Sequence, residues 1–174
     1  MTDFKTLALR RESCRAYLDT PVSDADLEDI VRTAILSPSA RNLQPWHFHI
    51  CTGETAKIIA EHCMAVPGAN TWAKNCPAFI VISSEVRPSE RLGCHYDYPI
   101  IDAGIAYAYV CLAAAEKGLG TCIIGSKDEN AIKATLGIPE DRRMYCAISV
   151  GYPVDPEPRE KKREAYEDLV TLHN

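Results

Sequence analysis

The sequence has eight cysteines but no closely spaced pair of them. Zinc and iron–sulfur sites usually take their ligands in such pairs, because one turn must present two sulfur atoms to one ion. Several cysteines lie instead within apolar runs, as in Val110-Cys111-Leu112, where a reduced cysteine behaves as a small buried hydrophobic residue. The spacing therefore disfavours a structural metal cluster and is typical of free thiols in a reducing compartment.

The sequence also lacks an excess of basic residues, and its net charge at neutral pH is −5. Because a negatively charged protein repels nucleic-acid phosphates and anionic membranes, we expect neither as a partner. The longest almost uncharged run, residues 100–115, contains Asp102 and is shorter than the ~20 residues of a membrane-spanning helix. The opening residues show no basic segment followed by an apolar one, so we expect no secretory signal and a cytoplasmic protein.

Two common nucleotide-binding fingerprints are missing. Gly118, Gly120 and Gly125 do not have the spacing of a Rossmann G-x-G-x-x-G motif, and no P-loop motif occurs. No internal repeat is visible either. Because a length of 174 residues agrees with one domain, we expect a single domain over residues 1–174, whose last part, residues 152–174, forms an extended C-terminal arm.

Apolar periodicity and turn-forming residues divide the chain into helices and strands. Helices are predicted over residues 2–10, 24–36, 54–64, 100–117 and 126–136, and strands over residues 46–51, 78–82, 121–125 and 146–150. Ser126 and Glu129 have the spacing of a capping box at the start of the last helix. The polar residues 84–99 predict a surface loop that could close over a ligand.

Two stretches indicate contacts beyond this chain's own core. Residues 100–117 are apolar all round apart from Asp102, so this helix must be buried on every side, in the core or at a subunit interface. The C-terminal arm begins with three prolines, continues with a charged run and ends in apolar residues. Such an arm is more plausibly docked on a partner subunit than left in solvent.

Two polar segments are candidates for ligand binding. Residues 10–15 hold three arginines and a serine, which could bind phosphate oxygens or could form a solvated basic helix end. In residues 38–46, the side chains of Ser39, Asn42 and Gln44 could read the polar edge of a flat heterocycle. From their chemistry alone, an ordinary connecting loop rich in turn formers is the simpler interpretation of residues 38–46.

Two further features could hold a ligand. The strand that ends near Gly125 is followed at once by a helix N-terminus, which leaves backbone N–H groups free for an electron-rich atom. His47, His49 and Cys51 share one face of a predicted strand, where they could bind a metal ion or simply form its polar face. The absence of an obvious fourth ligand nearby favours a polar face.

Four motifs then occur in order: Arg11-x-Ser13-x-Arg15, Pro38-Ser39-x-x-Asn42-x-Gln44-Pro45-Trp46, Gly118-Leu-Gly-Thr-Cys122 and Val150-Gly-Tyr-Pro153. Together they resemble the FMN-dependent nitroreductase family, most closely its short, single-domain branch, over nearly the whole chain. The resemblance implies an α+β fold with a central, mostly antiparallel sheet flanked by helices. It also implies an intertwined homodimer with exchanged C-terminal arms and two flavin sites at the dimer interface.

The resemblance assigns flavin-binding roles by position. Arg11, Ser13 and Arg15 would hold the FMN phosphate, and Arg163 of the C-terminal arm would complete that cluster. The remaining positions are Pro38, Ser39, Asn42 and Gln44, which would contact the flavin from the partner subunit, and Ile124 and Gly125, whose strand tip would point a backbone N–H at flavin N5. Two residues depart from the family pattern: Glu12 replaces a basic or small residue, and Gly125 replaces the acidic residue of some members.

The resemblance implies an NAD(P)H-dependent FMN oxidoreductase that works by a ping-pong cycle. A hydride would pass from NADH or NADPH through flavin N5 to a nitroaromatic, a quinone or a similar small acceptor. No side chain stands out as a general acid, so no catalytic residue is predicted. One alternative keeps the fold and changes the reaction to reductive dehalogenation or flavin breakdown. The other is a non-enzymatic redox sensor or flavin store, in which nearby cations lower the pKa of Cys14 and make it reactive.

Overall fold

The computed structural model describes residues 3–86, 89–91 and 94–173 of the chain. Within these residues the helices and strands are α1 (Phe4–Arg10), α2 (Asp24–Ala34), β1 (Trp46–Thr52), α3 (Gly53–Cys63), β2 (Ala78–Glu85), β3 (Ser89–Arg91), β4 (Cys94–Tyr96), α4 (Tyr98–Glu116), β5 (Gly120–Ile124), α5 (Glu129–Leu136), β6 (Arg142–Arg143), β7 (Ala147–Gly151) and α6 (Tyr166–Leu169). Most of the predicted elements are present, with bounds that differ by one to three residues.

The main sheet has the strand order β1-β2-β7-β5, with β6 paired to the far end of β2. Every strand pair that the structure describes in this sheet is antiparallel, including Phe48 opposite Ile82 and Ile80 opposite Ile148. Strand β2 is central because its apolar run is buried on both faces. The predicted α+β class with an antiparallel sheet is therefore confirmed.

Helices cover both faces of the sheet and form two hydrophobic cores. Ile80 and Ile82 face α2 and α4, whereas Phe79 and Val81 face the other way, toward α3 and α5. This alternation follows from the two-residue period of a strand, which sends successive side chains to opposite faces. The sheet thus forms the middle layer, and its β5 edge is where the candidate site lies.

Helix α4 is only partly buried within one chain. Ala106 and Val110 are fully buried against the sheet, but Ile100 and Ile101 are 46% and 54% exposed. It is the one helix among the described residues that is long and apolar enough to cross a membrane, and half of its most apolar window is buried inside the fold. Of the two predicted environments, the core accounts for one side of α4, and the described residues leave Ile100 and Ile101 at its start exposed.

Two local predictions were wrong. The N-cap of α5 is Asp128, whose carboxylate accepts a hydrogen bond from the backbone N–H of Ala131 at 2.9 Å, rather than Ser126. Glu129 does not close a capping box, because its Oε1 accepts the backbone N–H of Met144. Residues 84–99 are not all loop: β2 continues through Glu85, β3 and β4 form a hairpin, and α4 begins at Tyr98. Pro88 and Gly93, which suggested a loop, lie outside the described residues.

Candidate functional site

The basic segment, residues 11–15, lies along the free edge of β5. Ser13 forms a parallel bridge with Thr121, and the backbone N–H of Cys14 donates to the Thr121 carbonyl at 2.9 Å. Gly120 permits this close approach, because a Cβ at that position would lie 2.7 Å from the Cβ of Cys14. The arginines on either side of this bridge are therefore held at a fixed place on the sheet edge.

The C-terminal arm lies across the basic segment of its own chain and encloses an open cavity of about 540 Å³ with it. The residues that line the cavity are Arg11, Glu12, Ser13, Arg15, Arg159, Glu160, Lys161, Lys162 and Arg163. Four of the predicted phosphate-binding residues, from opposite ends of the chain, thus line one cavity. We call it the basic cavity.

Two arm residues that the sequence did not single out attach the arm to the basic segment. Arg159 bonds to the Glu12 carboxylate through its Nε at 3.0 Å and donates to the Ser13 carbonyl at 2.8 Å. The Nζ of Lys161 donates to the Arg11 carbonyl. The charged run in the arm was visible in the sequence, but its contact with residues 11–13 depends on how the arm folds back, which local patterns do not specify.

The basic cavity has an excess of positive charge, because it is lined by six basic residues and only two acidic ones. Among the described residues, neither Arg11 nor Arg15 has a carboxylate within ion-pair distance. Burial, and then the nearby Arg11 guanidinium, lower the pKa of Lys161. A bound anion would relieve this crowding, and a phosphate dianion suits planar guanidinium groups especially well. The cavity therefore fits the phosphate of FMN.

The tip of β5 lies on the same sheet edge. Thr121, beside Ser13, is three residues from Ile124, a distance of roughly 10 Å along a strand. The side chain of Ile124 is buried, while Gly125 is exposed just beyond the strand end. Lys127 fixes the chain here, because its Nζ donates to the Tyr145 carbonyl at 2.7 Å. A ligand with its phosphate in the basic cavity could thus extend along β5 toward Gly125.

The polar turn, residues 38–46, has an unusual backbone. Arg41, Asn42 and Gln44 have φ values of 53°, 56° and 48°, in the left-handed region that side chains other than glycine seldom adopt. The hydroxyl of Ser39 accepts the backbone N–H of Gln44 at 3.0 Å, and the Gln44 amide donates to the Asn42 carbonyl at 3.3 Å. Its side chains from residue 41 to residue 44 are exposed, so an ordered backbone presents them to solvent.

The buried Asp102 attaches the polar turn to α4. Its carboxylate, only 3% exposed, accepts the backbone N–H of Ala40 at 3.0 Å. At the other end of the turn, the carbonyl of Pro45 accepts hydrogen bonds from the Glu85 N–H and the Arg142 guanidinium, both at 3.1 Å. Asp102 stood out in the sequence, since it is the single charged residue within the apolar run 100–115, but the sequence did not indicate its partner Ala40.

The structure does not bring the polar turn and the basic cavity together within one chain. None of Pro38, Ser39, Asn42 and Gln44 lines the basic cavity, and no hydrogen bond among the described residues joins the two regions. The turn packs near α4 and β2, whereas the cavity lies on the β5 side of the sheet. Their meeting across a dimer interface stays a prediction.

The histidine stripe on β1 behaves as a partly buried polar face. The rings of His47 and His49 lie 4.8 Å apart, and His49 Nε2 bonds to the Ser83 hydroxyl at 3.2 Å. Burial, with added repulsion from His47 and Arg142, lowers the pKa of His49 to about 4. Burial also raises the pKa of Cys51 to about 12. Within the described residues, no group of three potential ligands could hold a metal ion.

Cys14 is not the reactive thiol that its cationic neighbours suggested. Its side chain is 5% exposed, and its Sγ donates to the Ala16 carbonyl at 3.3 Å. Burial raises the pKa of Cys14, and this outweighs the attraction of Arg159. The expected lowering of its pKa was therefore wrong, because the basic side chains point into the cavity while the thiol points into the core.

The antiparallel sheet lies between two helix layers, and the basic cavity, whose lining suits a phosphate group, lies at its β5 edge. Residues 8–67 and 64–152 match the family model described as Nitroreductase family. The chain therefore belongs to the nitroreductase family, and the resemblance found in its motifs is confirmed.

Three similar proteins agree with this assignment. An Archaeoglobus fulgidus protein, provisionally named NADH dehydrogenase/NAD(P)H nitroreductase, is 35% identical over 83% of this chain and 82% of its own length. The solved structure of an FMN-dependent nitroreductase from Clostridium difficile has 31% identity and a TM-score of 0.75, over 95% of this chain and 97% of that one. An iodotyrosine deiodinase from Thermotoga neapolitana is 26% identical over 91% of this chain and 92% of its own. The predicted enzyme class, an NAD(P)H-dependent oxidoreductase, is confirmed at this level.

Proposed function

We propose that this protein is an FMN-dependent oxidoreductase that uses NADH or NADPH to reduce a nitroaromatic, a quinone or a similar small acceptor. The observation that carries the proposal is the convergence of Arg11, Ser13, Arg15 and Arg163 on one cavity. When bound, FMN would supply the redox chemistry, namely hydride transfer from NAD(P)H to the acceptor at flavin N5 in a ping-pong cycle.

The residues of the basic cavity would bind and orient the cofactor. Arg11, Arg15 and Arg163 would contact phosphate oxygens through charge-assisted hydrogen bonds, and the Ser13 hydroxyl would add another donor. Because the Ser13–Thr121 bridge fixes these groups against β5, the rest of the cofactor would lie along that strand. The backbone N–H groups at Ile124 and Gly125 would then be placed to donate toward N5, and no side chain is assigned as a catalytic acid.

We further propose that the site is completed in a homodimer, by Pro38, Ser39, Asn42 and Gln44 of the partner subunit. Apolar side chains that remain uncovered in one chain support this arrangement, and they lie on three elements. They are Ile100 and Ile101 on α4, Leu36 after α2, and Tyr166, Leu169 and Leu172 in the C-terminal arm. An interface that covers α4, together with exchange of the arm beyond residue 163, would bury most of them.

Each subunit of this dimer would consist of a single FMN-binding domain over residues 1–174, in which residues 152–174 form the C-terminal arm. We also keep the prediction of a cytoplasmic protein with no nucleic-acid or membrane partner. The net charge of −5 supports the absence of a nucleic-acid or membrane partner.

The deciding experiment is the absorption spectrum of the purified protein with and without added FMN. We expect bound flavin bands that bleach on adding NADH or NADPH and return on adding a nitroaromatic or a quinone. Light scattering of the same sample should give the mass of a dimer. A colourless protein that takes up no FMN on titration would overturn the proposal, and a monomer that still binds FMN would overturn its dimeric part alone.

Reductive dehalogenation is the second candidate, because a relative that covers 91% of this chain is named an iodotyrosine deiodinase. The same cofactor site would serve both reactions, so only the acceptor distinguishes them. Parallel assays with a nitrobenzoate, a quinone and an iodinated phenol should separate the two. Faster release of iodide than reduction of the other acceptors would favour this second function.

A further inference from the structure

Glu12 departs from the family pattern, and the structure gives it a specific contact. Its carboxylate accepts two hydrogen bonds from one residue of the C-terminal arm, from the backbone N–H of Arg159 at 3.1 Å and from its Nε at 3.0 Å. The Glu12 side chain is only 21% exposed, although Arg159 is 65% exposed. A carboxylate held this way fixes both the backbone and the side chain of Arg159.

The contact between Glu12 and Arg159 is the centre of a small set of bonds that join the two ends of the chain. The Arg159 guanidinium also donates to the Ser13 carbonyl at 2.8 Å, and two residues further on Lys161 donates to the Arg11 carbonyl. Of the three acceptors on the basic segment, only that of Glu12 is a side-chain carboxylate. The others are backbone carbonyls, which no substitution can remove.

The charges in the basic cavity make this carboxylate necessary. Docking the arm brings Arg159, Lys161 and Arg163 close to Arg11 and Arg15, and like charges at this distance repel each other. Burial first, and then the Arg11 guanidinium, lower the pKa of Lys161, and the Glu12 carboxylate opposes this lowering. Of the two acidic residues that line the cavity, Glu12 is the one that, within the described part of the chain, forms an ion pair between the basic segment and the arm, and it thereby offsets the repulsion between them before any phosphate is bound.

We propose that Glu12 is a positioning residue, which docks the C-terminal arm on its own basic segment and thereby presents Lys161 and Arg163 to the FMN phosphate. The inference rests on the proposed function for its ligand, but the docking itself concerns this chain alone. Glu12 then has the opposite effect from the one its charge suggests: although it is negative, it strengthens the binding of a negative group.

The test compares Glu12→Gln and Glu12→Ala with the matched control Glu160→Gln. Glu160 also lines the basic cavity, but it forms no ion pair among the described residues. The first measurement is hydrogen exchange of residues 158–163 in the protein without FMN. The second is the Kd for FMN, followed by quenching of flavin fluorescence, in low and in high salt.

We expect both Glu12 variants to speed up exchange in the arm and to raise the Kd for FMN roughly tenfold in low salt. Glu160→Gln should leave the arm exchange unchanged and should tighten FMN binding slightly, since it removes a negative charge. The pair Glu12→Arg with Arg159→Glu should recover only the part of the arm protection that comes from the ion pair, because the reversed pair cannot accept the backbone N–H of residue 159 or donate to the Ser13 carbonyl.

Equal effects of Glu12→Gln and Glu160→Gln would overturn the inference, because general electrostatics would then explain them. Unchanged arm exchange in Glu12→Ala would overturn it as well, even if the wild-type protein binds FMN normally. Failure of the wild-type protein to bind FMN would overturn the proposed function and the FMN part of this inference. Faster arm exchange in Glu12→Ala would still support the docking in that case.

Discussion

The basic cavity and the polar turn hold their polar groups in place by different means. In the cavity, long side chains from two ends of the chain meet near solvent, and ion pairs and carbonyl contacts position them. In the turn, the backbone itself is ordered by the buried carboxylate of Asp102 and by left-handed residues such as Asn42. The cavity should therefore respond to salt and charge, and the turn to changes in packing and backbone conformation.

This difference has an energetic side. Each non-glycine residue in a left-handed conformation costs about 1 kcal/mol or more, so the surrounding structure must maintain the turn. The ion pair between Glu12 and Arg159 is partly exposed and contributes about 0–1 kcal/mol by itself, to which the hydrogen bond from the Arg159 backbone N–H adds. The turn thus depends on the packed fold around it, while the cavity depends on a few charged contacts near solvent.

The largest expected effect is on the cavity. Replacing both Arg11 and Arg15 by alanine should weaken FMN binding by about two orders of magnitude, because each charge-assisted hydrogen bond contributes roughly 1.5–3 kcal/mol. The thermal midpoint of the protein without FMN should change little. Titration of flavin fluorescence and a melting curve measure the two quantities.

Arg32→Ala is the control for this pair, since Arg32 is an exposed arginine on α2 that does not line the cavity. Normal FMN binding by the double variant would show that the cavity does not hold the phosphate.

The second effect is on the turn. Asp102→Ala should lower the free energy of unfolding by about 1–3 kcal/mol, because the buried N–H of Ala40 loses its acceptor. Asp102→Asn keeps an acceptor oxygen at the same place and should lose much less. Urea unfolding measures both, and equal losses in the two variants would show that the hydrogen bond to Ala40 is not what stabilises the turn.

A third, smaller effect distinguishes what the side chains of the polar turn contribute to FMN binding from what its backbone conformation contributes. Asn42→Ala and Gln44→Ala should each raise the Kd for FMN roughly 2–10-fold without unfolding the chain, as the loss of one neutral hydrogen bond predicts. Asn42→Gly is the matched control, because glycine adopts a φ of 56° without strain but lacks the side-chain amide of asparagine. If Asn42→Gly binds FMN like the wild type, the amide makes no contact with the flavin.

The smallest effect concerns pH. The folded protein keeps the pKa of His49 near 4 instead of 6.5, so as pH falls from 6.5 the unfolded chain takes up a proton that the folded one excludes. Stability should therefore fall between pH 6.5 and 4, by less than about 1.4 kcal/mol per pH unit because the ring is partly accessible. The groups that face His49 are His47, Ser83 and Arg142.

The cavity should respond over a lower pH range. Burial raises the pKa of Glu12, but the hydrogen bonds and charge of Arg159 together outweigh it and keep that pKa below the ordinary 4.5. The contact between Glu12 and the arm is therefore fully present above pH 4.5 and is lost as pH falls through the lowered pKa. Unfolding midpoints of the wild type and His49→Gln from pH 7 to 4, with arm exchange followed alongside, test this order. A His49→Gln variant with an unchanged pH slope would contradict the assignment to His49.

Sequence patterns predicted the secondary structure well and the tertiary contacts poorly, for a physical reason. The periodicity of residues such as Leu27 and Ile30 follows directly from burial on one face of α2, so it is visible locally. The cap of α5 was misplaced, because Ser126 and Asp128 are both good caps and only the tertiary bond of Glu129 to Met144 decides between them.

The same distinction applies to the candidate site. The phosphate-binding positions follow from short motifs, and Arg163 could be assigned only through a family resemblance, since 148 residues separate it from Arg15 in the sequence. The roles of Glu12 and Asp102 were missed, because each depends on a partner far along the chain. Cys14 was misjudged because nearby charges in the sequence do not show which way a side chain points.

The bridge between Ser13 and Thr121 has a consequence for solubility. Strand β5 ends the sheet on this side, and an uncovered edge strand can pair with another copy of the protein and begin aggregation. The segment that carries Arg11, Ser13 and Arg15 lies over part of that edge. Its exposed charges therefore also guard the sheet against self-association, so changes that free this segment should be visible first as a less soluble protein.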